Sequence, residues 1–344
     1  MADSSGGANE TVRYDAADLR RFTVEILTRL GTPASDAHDM AGQIVGSELA
    51  GHESHGLRRL SEYVGRVDSG AVQPASAGRI DLDRGSLVRI DGERGFGHVV
   101  VSHALGVAME RARAHGIAAV AVHDCDPAGR LWDFCERAAA SGVATLVFVN
   151  DGGAGQTVAP PGGTEARLST NPIAFGFPRA DAPHLVLDMA TSTVAMGRLS
   201  EWRDRGEPIP PEWATPAGVL KSMGGGKGFG LALVAEALAG ALADAGTVSL
   251  EPGDERQGVF IIAIDIASLR DLDAFTAEVD GFLDYVRDVP LEPDAGPVRI
   301  PGESSAATTL ARVASGTPLQ SFTFTQLQVL SQRFGVPLPA TILG

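Results

Sequence analysis

Apolar residues recur every three or four positions from Ala16 to Leu30, with Leu19, Phe22, Ile26 and Leu30 on one face, and this spacing predicts an amphipathic helix. Gly31-Thr32-Pro33 stops it. A second helix is predicted over Ser35–Ala50, turning Met40, Ile44 and Val45 inward, and residues 1–12 before the first are expected to be disordered. From Arg79 the period shortens. Ile80–Leu82 and Leu87–Ile90 read as paired strands around the polar turn Asp83–Gly85. Helix and strand then alternate: His98–Ala114 helical, Ile117–Val122 a continuous apolar strand, Arg130–Ala140 helical, Val143–Val149 a second apolar strand. Strands without polar alternation, separated by helices, call for crossover units in a sheet covered on both faces.

Further on, Phe229–Ala243 is apolar but interrupted by Glu236 and rich in Ala and Gly, which suits a core helix and is too short and broken for a membrane span. Val259–Ile264 is a buried strand, and Phe275–Val286 a helix expected to face it with Val279, Phe282, Leu283 and Val286. Ala307–Ala314 and Phe324–Phe334 form two short helices expected to pack back on the N-terminal ones.

With 344 residues, 44% hydrophobic and 21% charged, the chain has the make-up of an ordinary soluble protein with a large core. Forty-three acidic against 28 basic residues give a net charge of −15, which argues against nucleic acid or an anionic membrane as partner while leaving room for a local basic phosphate site. Only Cys125 and Cys135 occur, without Cys-x-x-Cys spacing, so neither a disulfide framework nor a zinc site is expected, and a reducing cytoplasm fits. The eight histidines are scattered and suggest no metal helix.

Chemistry concentrates at Ser54-His55-Gly56, followed by Arg59 and Tyr63. A helix beginning near His55 would place imidazole, guanidinium and phenol on one face, able to converge on a small acid. The same residues also suit a half-exposed helix surface. No Gly-x-Gly-x-x-Gly follows a strand, so the usual Rossmann fingerprint is missing.

The Ser-His-Gly segment with its Arg, Tyr and closing Gly70 resembles the signature of the malate/L-lactate dehydrogenase family, which includes sulfolactate dehydrogenase, ureidoglycolate dehydrogenase and Δ1-piperideine-2-carboxylate reductase. The resemblance continues in order through Val158–Gly163, Ser169–Gly176, Leu187–Ser192, Gly206–Pro210, Gly224–Gly230 and Val298–Glu303. It implies a sulfolactate dehydrogenase-like, non-Rossmann α/β fold with a mostly parallel or mixed sheet and a helical part built from both termini, residues 1–76 and 305–344 around an α/β cofactor part at 77–304. It implies NADH or NADPH as cofactor, held by Asn171, Pro172, Thr191, Ser192, Gly225, Lys227 and Gly228, and a homodimer. His55 would be the proton donor with Asp188 as partner, and Ser54, Arg59 and Tyr63 would hold a small carboxylate-bearing substrate. Asp188, at the end of an apolar strand, is open to the simpler reading of capping the next turn. Lys227 among glycines at a helix start suits a phosphate, or a hinge.

Two departures stand out. The family's second histidine is replaced by Pro127 in Asp124-Cys125-Asp126-Pro127-Ala128-Gly129, which leaves His123, Asp124 and Asp126 as nearby polar groups. The Trp213–Gly224 segment is short, and Arg198 stands where Lys is frequent. Three functions compete: a 2-oxo/2-hydroxy acid oxidoreductase, a cyclic imino acid reductase that needs less help from a protein acid, and a redox-inactive binding homologue.

Overall fold

The computed structural model describes residues 12–152, 155–195, 199, 202, 208–249 and 256–342. The disorder expected of residues 1–12, Val12 apart, lies outside them, as do Arg198 and Gly206-Glu207. In chain order the elements run β1 (Arg13–Tyr14), α1 (Ala16–Arg29), α2 (Ala34–Leu49), α3 (Leu60–Asp68), β2 (Arg79–Asp83), β3 (Leu87–Asp91), α4 (Gly97–His115), β4 (Ile117–Cys125), α5 (Trp132–Ala139) and β5 (Val143–Asp151). There follow β6 (Val158–Ala159), β7 (Ile173–Phe177), β8 (Leu185–Met189), β9 (Leu220–Lys221), α6 (Gly226–Ala235), β10 (Gln257–Asp265), α7 (Leu272–Arg287), α8 (Glu303–Ser315), β11 (Thr317–Pro318), α9 (Ser321–Phe334) and β12 (Thr341–Ile342). The chain divides into two units, Met1–Gly65 with Ser305–Gly344, and Arg66–Ser304.

In the first unit the Asp15 carboxylate accepts from Ala17 N–H and Asp18 N–H and so starts α1, whose Leu19, Phe22 and Ile26 are fully buried. The two chain ends close on each other: β1 lies antiparallel between β11 and β12, and Tyr14 stacks on Phe324 with centroids 5.5 Å apart. Arg29 donates to the Phe334 carbonyl, which ties α9 to α1.

The second unit is built on a seven-stranded sheet of order β2-β3-β4-β10-β5-β7-β8. The alternation of helix and strand is as the sequence predicts, and of the two sheet types expected, mostly parallel or mixed, this one is mixed. Among the described residues of this sheet, only β3 and β4 pair parallel; β10 runs antiparallel to both β4 and β5 and separates these two consecutive strands. Both faces are covered, which explains the unbroken apolar runs. On one face Val259, Ile261, Val120, Val122 and Val147 pack with Val100, Ala104 and Ala108 of α4 and Phe134 of α5. On the other, Phe148, Phe260 and Ile173 meet Ala235, Ala239 and Ala243.

α6 changes into a π-helical segment at Glu236–Leu242, which begins at the one charged residue of this apolar run. Its buried carboxylate accepts from Asn171 Nδ2 at 2.9 Å, Val248 N–H at 3.2 Å and Asn150 Nδ2 at 3.3 Å. α7 does not face β10 as its apolar spacing suggests. Val279 and Leu283 pack with Leu185 and Ile300, while Phe282 and Val286 are exposed. Both cysteines are buried free thiols, and burial pushes Cys135 up to about 12.

Candidate active site

In the first unit no single helix carries His55, Arg59 and Tyr63. Short 3-10 turns at Glu53–His55 and Leu57–Arg59 flank Gly56, and α3 begins only at Leu60. The cause is a buried acid. Glu48, on the inner face of α2, accepts from Leu57 N–H at 2.9 Å, and its Oε2 lies only 2.1 Å from where a Cβ on residue 56 would stand. A side chain here would have to displace the Glu48 carboxylate, so glycine suits this point, and there the chain turns out of helical register. Ser54 and His55 are therefore left half-buried ahead of the break, while Arg59 and Tyr63, four residues apart, share the face beyond it.

Ser54 Oγ lies 3.0 Å from His55 Nδ1. When the hydroxyl donates to Nδ1, the ring proton resides on Nε2; when it accepts, the proton is on Nδ1. Arg59 pairs with Glu62 at 2.7 Å, and Tyr63 is buried at 1% exposure. Glu48 is a residue the motif reading misses, although a carboxylate among Ile44, Val45 and Leu49 on a buried face is its signal. Burial, reinforced by Glu53 and opposed by the Leu57 hydrogen bond, Arg312 and Arg58, raises its carboxyl to about 7. Arg312 secures the same segment by donating to the Glu48 carbonyl at 2.5 Å and pairing with Glu53 at 2.7 Å.

In the second unit the cofactor candidates converge on the N-terminus of α6. Thr191 N–H and Oγ1 both donate to the Thr170 carbonyl, Met223 N–H donates to the Thr191 carbonyl, and Ser192 bridges to Ser222. Gly228 fits where a Cβ would stand 2.5 Å from both the Met223 and Thr191 carbonyls, so the helix start lies hard against this loop. Asn171, at φ 31°, is fully buried; its amide donates to Glu236 and to the Ala232 carbonyl, holding the Asn171-Pro172 turn against the helix. Gly225 has φ 63°, and nothing lies within 4 Å of a Cβ built on it or on Gly226. Lys227 beside them is exposed. An open glycine turn at the positive end of a ten-residue helix and one exposed lysine fit a phosphate of a dinucleotide.

Asp188 does not end its strand; it pairs with Ala174 inside β8. Its Oδ2 accepts Trp132 N–H at 2.9 Å, so it holds the N-terminus of α5, not the turn that follows it. Burial raises its carboxyl to about 6, against the opposing Trp132 hydrogen bond and Arg130. At the strand end where Pro127 stands, the polar neighbours are all engaged: His123 Nε2 lies 3.3 Å from Asp81, Asp124 pairs with Arg256 at 2.6 Å and Asp126 with Arg66 at 2.5 Å.

Comparison with known proteins identifies the family. Residues 14–328 match the family model described as malate/L-lactate dehydrogenase. The chain belongs to that family. An L-lactate dehydrogenase of Cupriavidus necator is 34% identical over 95% of this chain and 99% of its own length. A Delta(1)-pyrroline-2-carboxylate reductase of Ancylobacter novellus is 31% identical over 94% of this chain and 99% of its own. The solved sulfolactate dehydrogenase of Methanocaldococcus jannaschii superposes with a TM-score of 0.84 at 26% identity, covering 95% of this chain and 98% of that one. As a member of the malate/L-lactate dehydrogenase family, the chain is a dehydrogenase or reductase that works with a nicotinamide cofactor.

Proposed function

We propose that the protein reduces and oxidises C2 of a small 2-oxo/2-hydroxy acid, using NADH or NADPH, with His55 as the group that gives and takes the proton. The observation that carries this is the Ser54–His55 hydrogen bond at 3.0 Å in a turn held by Glu48, which orients a half-buried imidazole. The bound nicotinamide supplies or accepts the hydride. Arg59 serves the substrate carboxylate, with Ser54 and Tyr63 shaping the site. Asp188 is assigned to the proton inventory because its enclosed carboxyl titrates near 6. Asn171, Pro172, Thr191, Ser192, Gly225, Lys227 and Gly228 are assigned to the cofactor, with Lys227 and the α6 amides on phosphate. A homodimer in the cytoplasm completes the reading, resting on the family resemblance and the reducing context that two free thiols suit.

A second reading, reduction of a cyclic C=N bond, is favoured by Pro127. A protonated imine is already electrophilic, so the loss of one histidine at that strand end matters less, and the Ancylobacter relative is named for an imine substrate. NAD(P)H oxidation with a panel of 2-oxo acids and cyclic imino acids separates the two. His55→Ala is expected to lower kcat/KM on oxo acids by about two to four orders of magnitude. An unchanged rate removes His55 from the chemistry, and the absence of both activity and NAD(P)H binding by fluorescence titration points to a redox-inactive homologue.

A further inference from the structure

Inside the second unit the buried carboxylate of Glu236 is met by hydrogen-bond donors at both of its oxygens. Asn171 Nδ2 donates to Oε1, and Val248 N–H and Asn150 Nδ2 donate to Oε2. Neither amide can be turned around. Asn171 Nδ2 also donates to the Ala232 carbonyl at 3.1 Å and Asn150 Nδ2 to the Gly246 carbonyl at 2.8 Å, and a carbonyl only accepts. Their oxygens are engaged as well, since Ser169 Oγ donates to that of Asn171 and Gly258 N–H to that of Asn150. A carboxylate therefore satisfies this site, whereas the amide of a glutamine would set one N–H group against another.

What this carboxylate holds leads to the cofactor cradle. The Thr170 carbonyl, next to Asn171, accepts from Thr191 N–H and Oγ1, and the Thr191 carbonyl accepts from Met223 N–H just before the start of α6. Glu236, where α6 passes into its π segment, completes the connection from the helix back to Asn171. The turn is under constraint: Asn171 has φ 31°, a conformation that non-glycine residues keep where the surroundings enforce it. There is little room to relax around the second anchor. A Cβ on Gly240 would stand 2.6 Å from Asn150 Nδ2, and one on Gly258 2.7 Å from Asn150 Oδ1, so backbone is packed against this amide where no side chain fits.

We propose that Glu236 is a positioning residue for the nicotinamide cofactor: through Asn171 it holds the Asn171-Pro172 turn in the conformation that the bound dinucleotide meets, and through Val248 and Asn150 it anchors that turn to the start of β10. This rests on the assignment of Asn171 and Pro172 to the cofactor made above.

Fluorescence titration of the full chain with NADH and with NADPH tests this without turnover. Glu236→Gln, which keeps the size of the side chain and removes one acceptor, is expected to bind the cofactor roughly tenfold more weakly. In steady-state kinetics its cofactor KM should rise by a similar factor while kcat at saturating cofactor stays within about twofold of native. Glu236→Asp, which draws both oxygens back by one methylene, should also weaken binding and serves if the glutamine variant does not fold. Ile261→Val, on the opposite face of the sheet, lowers stability without touching the turn and should keep native affinity; melting temperatures are recorded for all variants. Native affinity in both Glu236 variants, or an equal loss in Ile261→Val, overturns the proposal. If Lys227→Ala weakens binding while the Glu236 variants do not, the cofactor site stands and the role of Glu236 falls; no NAD(P)H binding by the native protein overturns both.

Discussion

Glu48 offers a test in which one carboxyl connects burial, pH and the shape of the histidine turn. Its folded-state value is raised from 4.5 to about 7, so folding retains a proton that the unfolded chain releases. Stability from this group is therefore fully present below pH 4.5 and is lost as pH rises through about 7. The gap corresponds to about 3 kcal/mol. Glu48→Gln keeps an oxygen to accept Leu57 N–H and removes the titration. Urea unfolding followed by circular dichroism at pH 5 and pH 8 should give nearly equal stabilities for the two proteins at pH 5, and a variant about 1–3 kcal/mol more stable than native at pH 8. Asp133, Glu136 and Asp188, also raised by burial, bend both curves alike, so the difference isolates Glu48. A native-minus-variant difference that is the same at both pH values refutes the reasoning.

Further outcomes follow from the same geometry. Gly56→Ala drives a Cβ into the Glu48 carboxylate and should lower kcat on the order of a hundredfold by displacing His55; an unaltered kcat shows that the turn can relax. Lys227→Ala should weaken NADH or NADPH binding roughly fivefold in fluorescence titration, with a smaller salt dependence than native, and equal affinities would leave Lys227 without a role at the cofactor. Asp188→Asn removes a carboxyl that titrates near 6, so an inflection near pH 6 in kcat/KM should vanish in the variant; an unchanged profile confines Asp188 to capping α5.

What the sequence discloses depends on how local the cause is. α1, α2 and the strands β2, β3, β4, β5 and β10 are set by periodicity within ten to twenty residues and appear where the pattern places them. The break at Gly56 is not legible, because it originates in Glu48 on another helix. The same holds for Asp188: a strand-end carboxylate suggests a cap for the next turn, but its actual acceptor role serves Trp132, 56 residues earlier. Phe282 and Val286 share the helical spacing of Val279 and Leu283 yet remain exposed, since only part of α7 meets Leu185 and Ile300. One cavity of the second unit gathers Arg66, Arg94 and Arg256 from three distant segments, and nothing in the pattern around each hints at the others.

The position of β10 also bears on how the protein is made. Until residues 257–265 leave the ribosome, β4 and β5 have no partner between them, and each presents a nine-residue apolar edge of unpaired backbone groups. Three quarters of the chain must be synthesised before that gap closes. Such late, long-range pairing slows folding and exposes sticky edges to neighbouring nascent chains. A chain truncated before Gln257 is therefore expected to aggregate when expressed, even though it carries the whole Ser54-His55-Gly56 segment and the α6 cradle.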